Sequence, residues 1–282
     1  MTTSADRIAA LGGSTVQHGP QSNRVYLMHL DPGDCPQIVD VLDDMARHRG
    51  YTKVFAKVPA CETRWFLRRG YREEAVVPGF FAGREDGVFL GKFLCPRRRE
   101  PADPAALAGV VRAARAKAAA PRRAPALAPG LALAPPGPEH VEVMAGLYSR
   151  VFASYPFPIH DPAYLRRALE QGVVFMGAWH DGELVGLASA EPDYAARNAE
   201  MTDFAVLPRQ RGKALARHLL RALEKDMAGR GVDLFYTIAR AASHGMNATF
   251  ARQGYRFAGT LVNNTHIAGG IESMNVWYRR RS

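Results

Sequence analysis

The sequence predicts an α/β (α+β) chain of two domains, a smaller α/β unit followed by a larger one built on a mixed central sheet. Three observations predict it. The 282 residues exceed the ordinary size of one domain. Apolar residues switch repeatedly between a period near two and a period near 3.6 in both halves. A stretch dominated by Ala, Pro and Arg, from Arg97 to about Pro136, separates those halves. With 47% hydrophobic and 23% charged residues, the composition excludes a wholly disordered chain.

Residues 1–96 read as a β-α-β-α-β-β unit. Arg24–Asp31 (RVYLMHLD) is β-branched and aromatic, which predicts a strand. Cys35–Arg49 carries Ile38, Val41, Leu42 and Met45 at helical spacing, and Gly50 ends it. Thr52–Val58 alternates like a strand, and Glu62–Arg69 is a short helix closed by Gly70. Two strands follow, near Glu74–Val77 and Val88–Phe93. Across residues 97–136 prolines recur so often that an extended, semi-rigid linker is expected, with room for a short Ala-rich helix over 104–120.

Residues 137–282 read as α-α-β-β-β-α-β-α-β-β. Helices are expected over Pro138–Tyr155 and Ala163–Gln171, separated by the loop YPFPIHDP. Val173–Trp179 and Leu184–Ala190 flank an Asp-Gly turn, the signature of a hairpin. Glu200–Leu207 is a further strand. Ala214–Ala228 has Leu215, Leu219, Ala222, Leu223 and Met227 on one helical stripe. Val232–Ala239 predicts a strand and Asn247–Arg252 a helix closed by Gly254; Tyr255–Thr260 and Ile271–Tyr278 complete the sheet.

Several function classes fall away on composition. No apolar run approaches the ~20 residues of a membrane span. The N-terminal segment lacks the continuous apolar stretch of a secretory signal. Cys35, Cys61 and Cys95 are too scattered for a disulfide framework or a zinc site, so a reducing, cytoplasmic setting is expected. His218 and His244 have no companions at metal-ligand spacing, and no metal is expected. The formal charge of +10 is concentrated in the linker, where Arg97, Arg98, Arg99, Arg112, Arg115, Lys117, Arg122 and Arg123 face only Glu100 and Asp103, and in the terminal Arg279, Arg280 and Arg281. A nucleic-acid-binding domain spreads basic residues over a folded face with aromatics among them, so nucleic acid is not expected as a partner.

The informative segment runs from Glu200 to His218. A strand leads into a basic turn holding Gly212 and then directly into the long helix. Backbone N–H groups at a helix start have no intrahelical acceptor, and with the helix dipole they make an anion site. Gly212 has no Cβ to hold a phosphate off the backbone. Arg209, Arg211 and Lys213 supply charge suited to a pyrophosphate. Neither the GxxxxGK[ST] loop nor the GxGxxG turn is present.

Arg209-x-x-Gly212-x-Ala214 after an apolar strand resembles the (Q/R)-x-x-G-x-(G/A) acetyl-CoA pyrophosphate motif of the GNAT superfamily of N-acetyltransferases. Asn247-Ala-Thr-Phe250 with Gly254-Tyr255 resembles the next motif of that superfamily. Over nearly the whole chain, RVYLMHL, FAKVP, GYREEAVVPGFFAG, YPFPIHDPAYL, the run Asn263 to Ile267 and the run Glu272 to Tyr278 resemble the β-lysine N-acetyltransferases, which place a small N-terminal domain before a GNAT domain. The resemblance implies direct transfer of acetyl from acetyl-CoA, a cosubstrate, to the N6 amine of β-lysine (3,6-diaminohexanoate), giving N6-acetyl-β-lysine, a compatible solute. No residue spacing points to β-lysine by itself; another small amine or a protein lysine stays open.

Residue roles follow from that resemblance. A primary ammonium titrates near pH ~10.4, so a base must take a proton from the amine. Glu200, six residues before Val206, matches the family's strand glutamate; Asp203, on the opposite strand face by alternation, is the second candidate. Backbone N–H groups of Phe204, Ala205 and Val206 are implied as oxyanion donors. Arg209, Arg211, Gly212, Lys213, Ala214, Leu215 and Asn247 are implied to contact acetyl-CoA. Phe250 stands where many GNAT enzymes have the tyrosine that protonates the departing thiolate. Tyr255 or another group then substitutes, or the thiolate leaves unaided. Tyr155, His160, Glu191, Asn263 and Asn264 fall on segments expected to line the amine's cleft. Finally, Phe66-Leu-Arg-Arg-Gly70-Tyr71 echoes Phe250-Ala-Arg-Gln-Gly254-Tyr255, so the N-terminal unit reads as a degenerate GNAT-like half without the phosphate turn. It is expected to shape the substrate cleft or a dimer contact, which leaves a homodimer open.

Overall fold

A computed structural model describes residues 6–118 and 125–281. The N-terminal half contains β1 (Arg7–Leu11), β2 (Ser14–Gly19), β3 (Arg24–His29), α1 (Gln37–His48), β4 (Lys53–Pro59), α2 (Thr63–Leu67), β5 (Arg72–Phe81) and β6 (Glu85–Phe93). Between the halves lie α3 (Pro104–Ala118) and β7 (Leu131–Ala134). The C-terminal half contains α4 (Val141–Val151), α5 (Pro162–Glu170), β8 (Val174–His180), β9 (Glu183–Asp193), β10 (Asn198–Val206), α6 (Leu215–Gly229), β11 (Leu234–Arg240), α7 (His244–Arg252), β12 (Arg256–Ile267) and β13 (Gly270–Arg280).

All the described strands join one sheet, in the order β1-β2-β3-β4-β6-β5-β12-β13-β11-β10-β9-β8-β7. Outward from the β5–β12 seam, the two halves have the same topology. Each contains a single parallel crossover, β3-α1-β4 in one and β10-α6-β11 in the other, and its other neighbours are antiparallel. The sequence echo has the same local geometry in both places. Tyr71 donates its N–H to Phe66 O at 3.2 Å and Tyr255 to Phe250 O at 3.1 Å, and each Phe–Tyr ring pair is 5.2 Å apart. Each tyrosine also faces an acid of its crossover helix, Asp43 or Glu224. The turns before the crossover helices differ. Where α6 is preceded by Arg211-Gly212-Lys213, the first half has Asp31 and Asp34, an acidic turn that repels phosphate.

Period-two alternation explains how the halves pack. On β3, β4 and β6, Val25, Leu27, Val54, Ala56, Val58, Val88 and Leu90 pack under α1 and α2. The alternate residues Tyr26, Phe55 and Phe89 face the other way and share a core with Leu234, Tyr236, Met274 and Val276 of the second half. The continuous sheet therefore curls until its two inner faces meet. The seam demands close backbone approach, since a Cβ on Gly259 would lie 2.0 Å from Glu74 O. Buried polar contacts stitch it. Lys53 pairs with Glu74 at 2.7 Å, and Glu74 also accepts the Val262 N–H at 2.7 Å.

The linker expectation needs correction. Val110 and Ala114 of α3 are buried as this helix packs on α7, and β7 pairs with β8 and extends the sheet. Arg98 donates to Asn263 O at 2.6 Å and Ser22 O at 2.7 Å, so it is bound into the seam rather than solvated. Arg279 likewise pairs with Glu224 at 2.9 Å. Residues 119–124, including Arg122 and Arg123 and the end of the expected Ala-rich helix, lie outside the described residues. The hairpin β1–β2 was not expected, because its short Ala- and Gly-containing strands carry little apolar alternation. The helix expected to reach Tyr155 ends at Val151; Phe152 is extended, and Pro156 and Pro158 follow.

Candidate active site

β10 and β11 are hydrogen-bonded over only three residue pairs, from Asn198–Leu234 to Glu200–Tyr236, and then part. A bulge causes part of this divergence. The β9–β10 register shifts between Thr202 and Ala205, and Asp203 adopts a left-handed φ of 55°. The gap opens into a cleft of about 1380 Å³. One wall carries Thr202, Phe204 and Val206 of β10 and Thr237–Arg240 of β11; the opposite wall comes from the N-terminal half, with Arg24, Tyr26, Phe55, Lys57 and Phe80.

Glu191, Glu200 and Asp203 converge in this cleft. Simple alternation puts Glu200 and Asp203 on opposite strand faces; the bulge instead turns both toward the same space. Burial raises the Glu200 pKa above the ordinary carboxylate range and Asp203 adds to the rise, while the Lys57 charge, the Tyr236 hydroxyl and the Ile238 backbone nearby oppose it. Glu191 is exposed at an open part of the cleft, between walls that shield it from part of the surrounding water. That shielding, with Glu200 and Asp203 nearby, pushes its pKa up to about 8. Asp203 is also raised by burial, and three hydroxyls restrain the rise. Ser189 donates to it at 2.6 Å, Tyr155 at 2.5 Å and Thr202 at 3.3 Å. Its lone pairs are therefore largely engaged, whereas Glu200 is the carboxylate set beside the parting strands. Burial alone would lower the Lys57 pKa, but Tyr26, Glu200, Glu191 and Asp193 reverse the shift. Lys57 stays a cation, donating to the Tyr236 hydroxyl at 3.0 Å.

The other end of the cleft is built for an anion. Ala214 takes a left-handed φ of 58° just before α6, and the amides of residues 212–216 make no backbone hydrogen bond as donors among the described residues. Gly212 has a φ of 81°, and among the described residues nothing beyond its chain neighbours lies within 4 Å of where a Cβ would sit. Arg211, Gly212, Ala214 and Leu215 line the cleft.

Other expected site residues lie elsewhere. Arg209 is turned outward by its ion pair with Glu183, and Lys213 donates to Gln210 at 2.7 Å; neither lines the cleft. The Ala205 methyl is buried in the core. Asn247 is fully buried: it donates to Arg240 O at 2.9 Å and Ser243 O at 2.7 Å, and accepts from Asn275 at 2.9 Å and Trp277 at 2.8 Å. It holds α7 against β13 and offers nothing to a ligand. Tyr255 is 3% exposed and packed against Phe250 and Glu224, which removes it as an acid acting in the cleft. His160 is exposed, pointed outward by the buried Ile159 before it. Asn263 spends its side chain on Arg98 O at 3.0 Å and Glu100 O at 2.9 Å. Tyr155, Glu191 and Asn264 do line the cleft.

Arg24, Lys57, Ser189 and Tyr236 were missed. The available signal was a lysine and an arginine interrupting otherwise apolar strands, in RVYLMH and KVFAKV. Among the described residues, no group of three or more His, Cys, Asp or Glu is arranged to hold a metal, and no helix is long and apolar enough to cross a membrane.

A crossover helix whose first amides have no backbone acceptor among the described residues, beside two parting parallel strands with a carboxylate at the parting point, makes a cleft suited to an extended ligand that carries an anion. The model of the acetyltransferase (GNAT) family matches residues 143–255. The chain is 32% identical over 274 residues to the β-lysine N(6)-acetyltransferase of Methanococcus maripaludis, covering 97% of this chain and 98% of that one. It belongs to the GNAT acetyltransferase family. It is also 42% identical over 150 residues to the β-lysine N(6)-acetyltransferase of Methanosarcina mazei, covering 53% of this chain and 55% of that protein. The N-acetyltransferase YodP of Bacillus subtilis is 42% identical over 134 residues, covering 48% of this chain and 49% of its own.

Proposed function

We propose that the protein transfers acetyl from acetyl-CoA to the N6 amine of β-lysine, with both reactants held together in the cleft and no acetylated enzyme between them. The observation that carries the reading is the placement of Glu200 at the point where β10 and β11 separate, in a chain similar along 97% of its length to a β-lysine N(6)-acetyltransferase.

The residues present fit a coenzyme A thioester. Free amides at 212–216 and the open face of Gly212 suit a pyrophosphate, and the unpaired edge of β10 beyond Glu200 suits the amides of an extended pantetheine arm. Bound acetyl-CoA supplies the activated acetyl group. Glu200 takes the proton from the ammonium, directly or through a water, and the charge of Lys57, which is held on Tyr236, favours its ionised form. Asp203 attracts the diamine, and an ammonium placed beside Glu191 favours the ionised form of that carboxyl. Phe250 closes the wall against Phe204, with ring centroids 5.5 Å apart, and no hydroxyl stands at that position. The thiolate therefore leaves without an acid from residue 250, which a thiol of pKa near ~8.5 tolerates. We also propose that residues 1–96 and 137–282 act as two domains joined by 97–136, with the first domain supplying one wall of the cleft. A cleft walled by both favours a small amine over a protein lysine.

A panel containing β-lysine, lysine, an aminoglycoside and a lysine peptide, each with acetyl-CoA, tests the reading. The expected result is the highest kcat/KM on β-lysine and a product acetylated on N6, identified by mass and by the nitrogen modified. A clear preference for another amine overturns the substrate assignment.

A further inference from the structure

Arg24 is 4% exposed and lines the cleft, yet it makes no ion pair with any described residue. Its donors reach two neutral acceptors, Asn264 O at 2.9 Å and Gln17 Oε1 at 3.2 Å, and its Nε is buried with no acceptor among the described residues. The nearby carboxylates are committed elsewhere. Asp6 accepts the amides of Gln21 and Ser22, and Glu74 is held by Lys53 and the Val262 amide. Burial lowers the Arg24 pKa only to about 10, so the guanidinium stays charged near neutrality. A buried cation without a counter-charge is costly unless something supplies one.

The position of this cation matters. Its guanidinium carbon lies 5.0 Å from the centre of the Tyr26 ring and 5.8 Å from that of Phe55, which fixes its plane. Tyr26 in turn lies within electrostatic reach of Glu200, Glu191 and Lys57. The cleft thus holds carboxylates at Glu191, Glu200 and Asp203 and, at Arg24, a guanidinium with no ion-pair partner among the described residues, with Tyr26 in reach of both. An amine bearing a carboxylate at its far end matches that polarity. A simple diamine leaves Arg24 unanswered.

Building on the β-lysine reading, we infer that Arg24 is the specificity-determining residue that receives the carboxylate of the acceptor amino acid, setting its distant amine at Glu200. Arginine suits the task because its planar fork presents paired donors to a carboxylate, a geometry that lysine cannot copy.

The test compares β-lysine with 1,4-diaminopentane, the same skeleton with hydrogen in place of the carboxylate, in the wild type, Arg24→Met and Arg24→Lys. The wild type is expected to favour β-lysine by on the order of 100-fold in kcat/KM, as loss of a partner from a buried charged contact implies. Arg24→Met is expected to erase most of that preference by raising KM for β-lysine, with turnover of 1,4-diaminopentane little changed; Arg24→Lys should restore part of it. An equal loss on both substrates, or an unchanged ratio, overturns the inference and assigns Arg24 to the seam alone. If Arg24→Met does not fold, the wild type decides with β-lysine carboxamide, whose turnover should fall by a similar factor; equal turnover of acid and amide overturns the inference. A wild type that prefers another amino acid ends the β-lysine reading, while that amino acid against its decarboxylated form still judges Arg24. A wild type that prefers carboxylate-free amines overturns Arg24's role.

Discussion

Lys57 donates to the Tyr236 hydroxyl at 3.0 Å, and the same hydroxyl lies within electrostatic reach of Glu200. A cation of the N-terminal half is thereby coupled to the proposed base of the C-terminal half through one tyrosine. Burial raises the Tyr236 pKa well above its usual value, so this hydroxyl stays protonated as the link. On the proposal that Glu200 is the base, this places a cation of the first half within the electrostatics of the reaction.

Glu200→Gln keeps the shape and removes the base. We expect kcat to fall by roughly 100-fold or more, the usual worth of a positioned general base. In the wild type Glu200 must be ionised to act, and its pKa is raised, so kcat/KM should decline with falling pH at a higher pH than an ordinary carboxylate dictates. That acidic limb should vanish in the variant. A limb unchanged in position removes Glu200 as the base.

Lys57→Met tests the coupling with the opposite sign. The lysine charge lowers the Glu200 pKa against burial, so removing it should move the acidic limb upward, by about one pH unit. Activity at neutral pH then falls while activity at high pH recovers. A pH profile that merely scales down would assign Lys57 to packing.

Gly212→Val probes the anion turn. The residue occupies the left-handed region at φ 81°, and among the described residues no atom beyond its chain neighbours lies within 4 Å of an added Cβ. The penalty therefore comes from backbone strain, about 1–2 kcal/mol, and from a side chain projecting in front of the free amides. KM for acetyl-CoA should rise about tenfold or more, with a smaller change in KM for the amine, as read from initial rates.

Asn247→Ala and Tyr255→Phe separate structure from chemistry. Asn247 satisfies four partners inside the fold, so its loss should destabilise by about 2–4 kcal/mol in denaturant unfolding, with KM for acetyl-CoA nearly unchanged. Tyr255→Phe should leave kcat unaltered, since its hydroxyl lies outside the cleft.

Several errors of sequence reading share one origin. Asn247 is the type of residue that binds a ligand near a helix start, and nothing local reveals that Arg240, Ser243, Asn275 and Trp277 already occupy it. The basic turn was legible as a unit, but which of its cations face the cleft was not. Arg209 turns away because Glu183, on a strand remote in sequence, pairs with it. Asp203 was misplaced because strand alternation assumes an unbroken register, and a single bulge rotates everything beyond it. The Ala-rich helix expected over 104–120 forms as α3, but its packing on α7 was hidden because Val110 and Ala114 are too few to mark an apolar face among alanines.

What the amino-acid order alone determined here is local: the succession of strands and helices, the turn that opens α6 with free amides, the strand glutamate before it, and the echo between Phe66–Tyr71 and Phe250–Tyr255. Periodicity and helix-end chemistry depend on residues a few positions apart, so they can be read along the chain. The tertiary structure decided the rest. Only the curling of one sheet about the Gly259–Glu74 seam brings Arg24 and Lys57 to the cleft that holds Glu200, and only the bulge at Asp203 turns the carboxylates together. A buried charge written in a sequence shows that it needs a partner; the partner itself is chosen by which distant strand the fold lays against it.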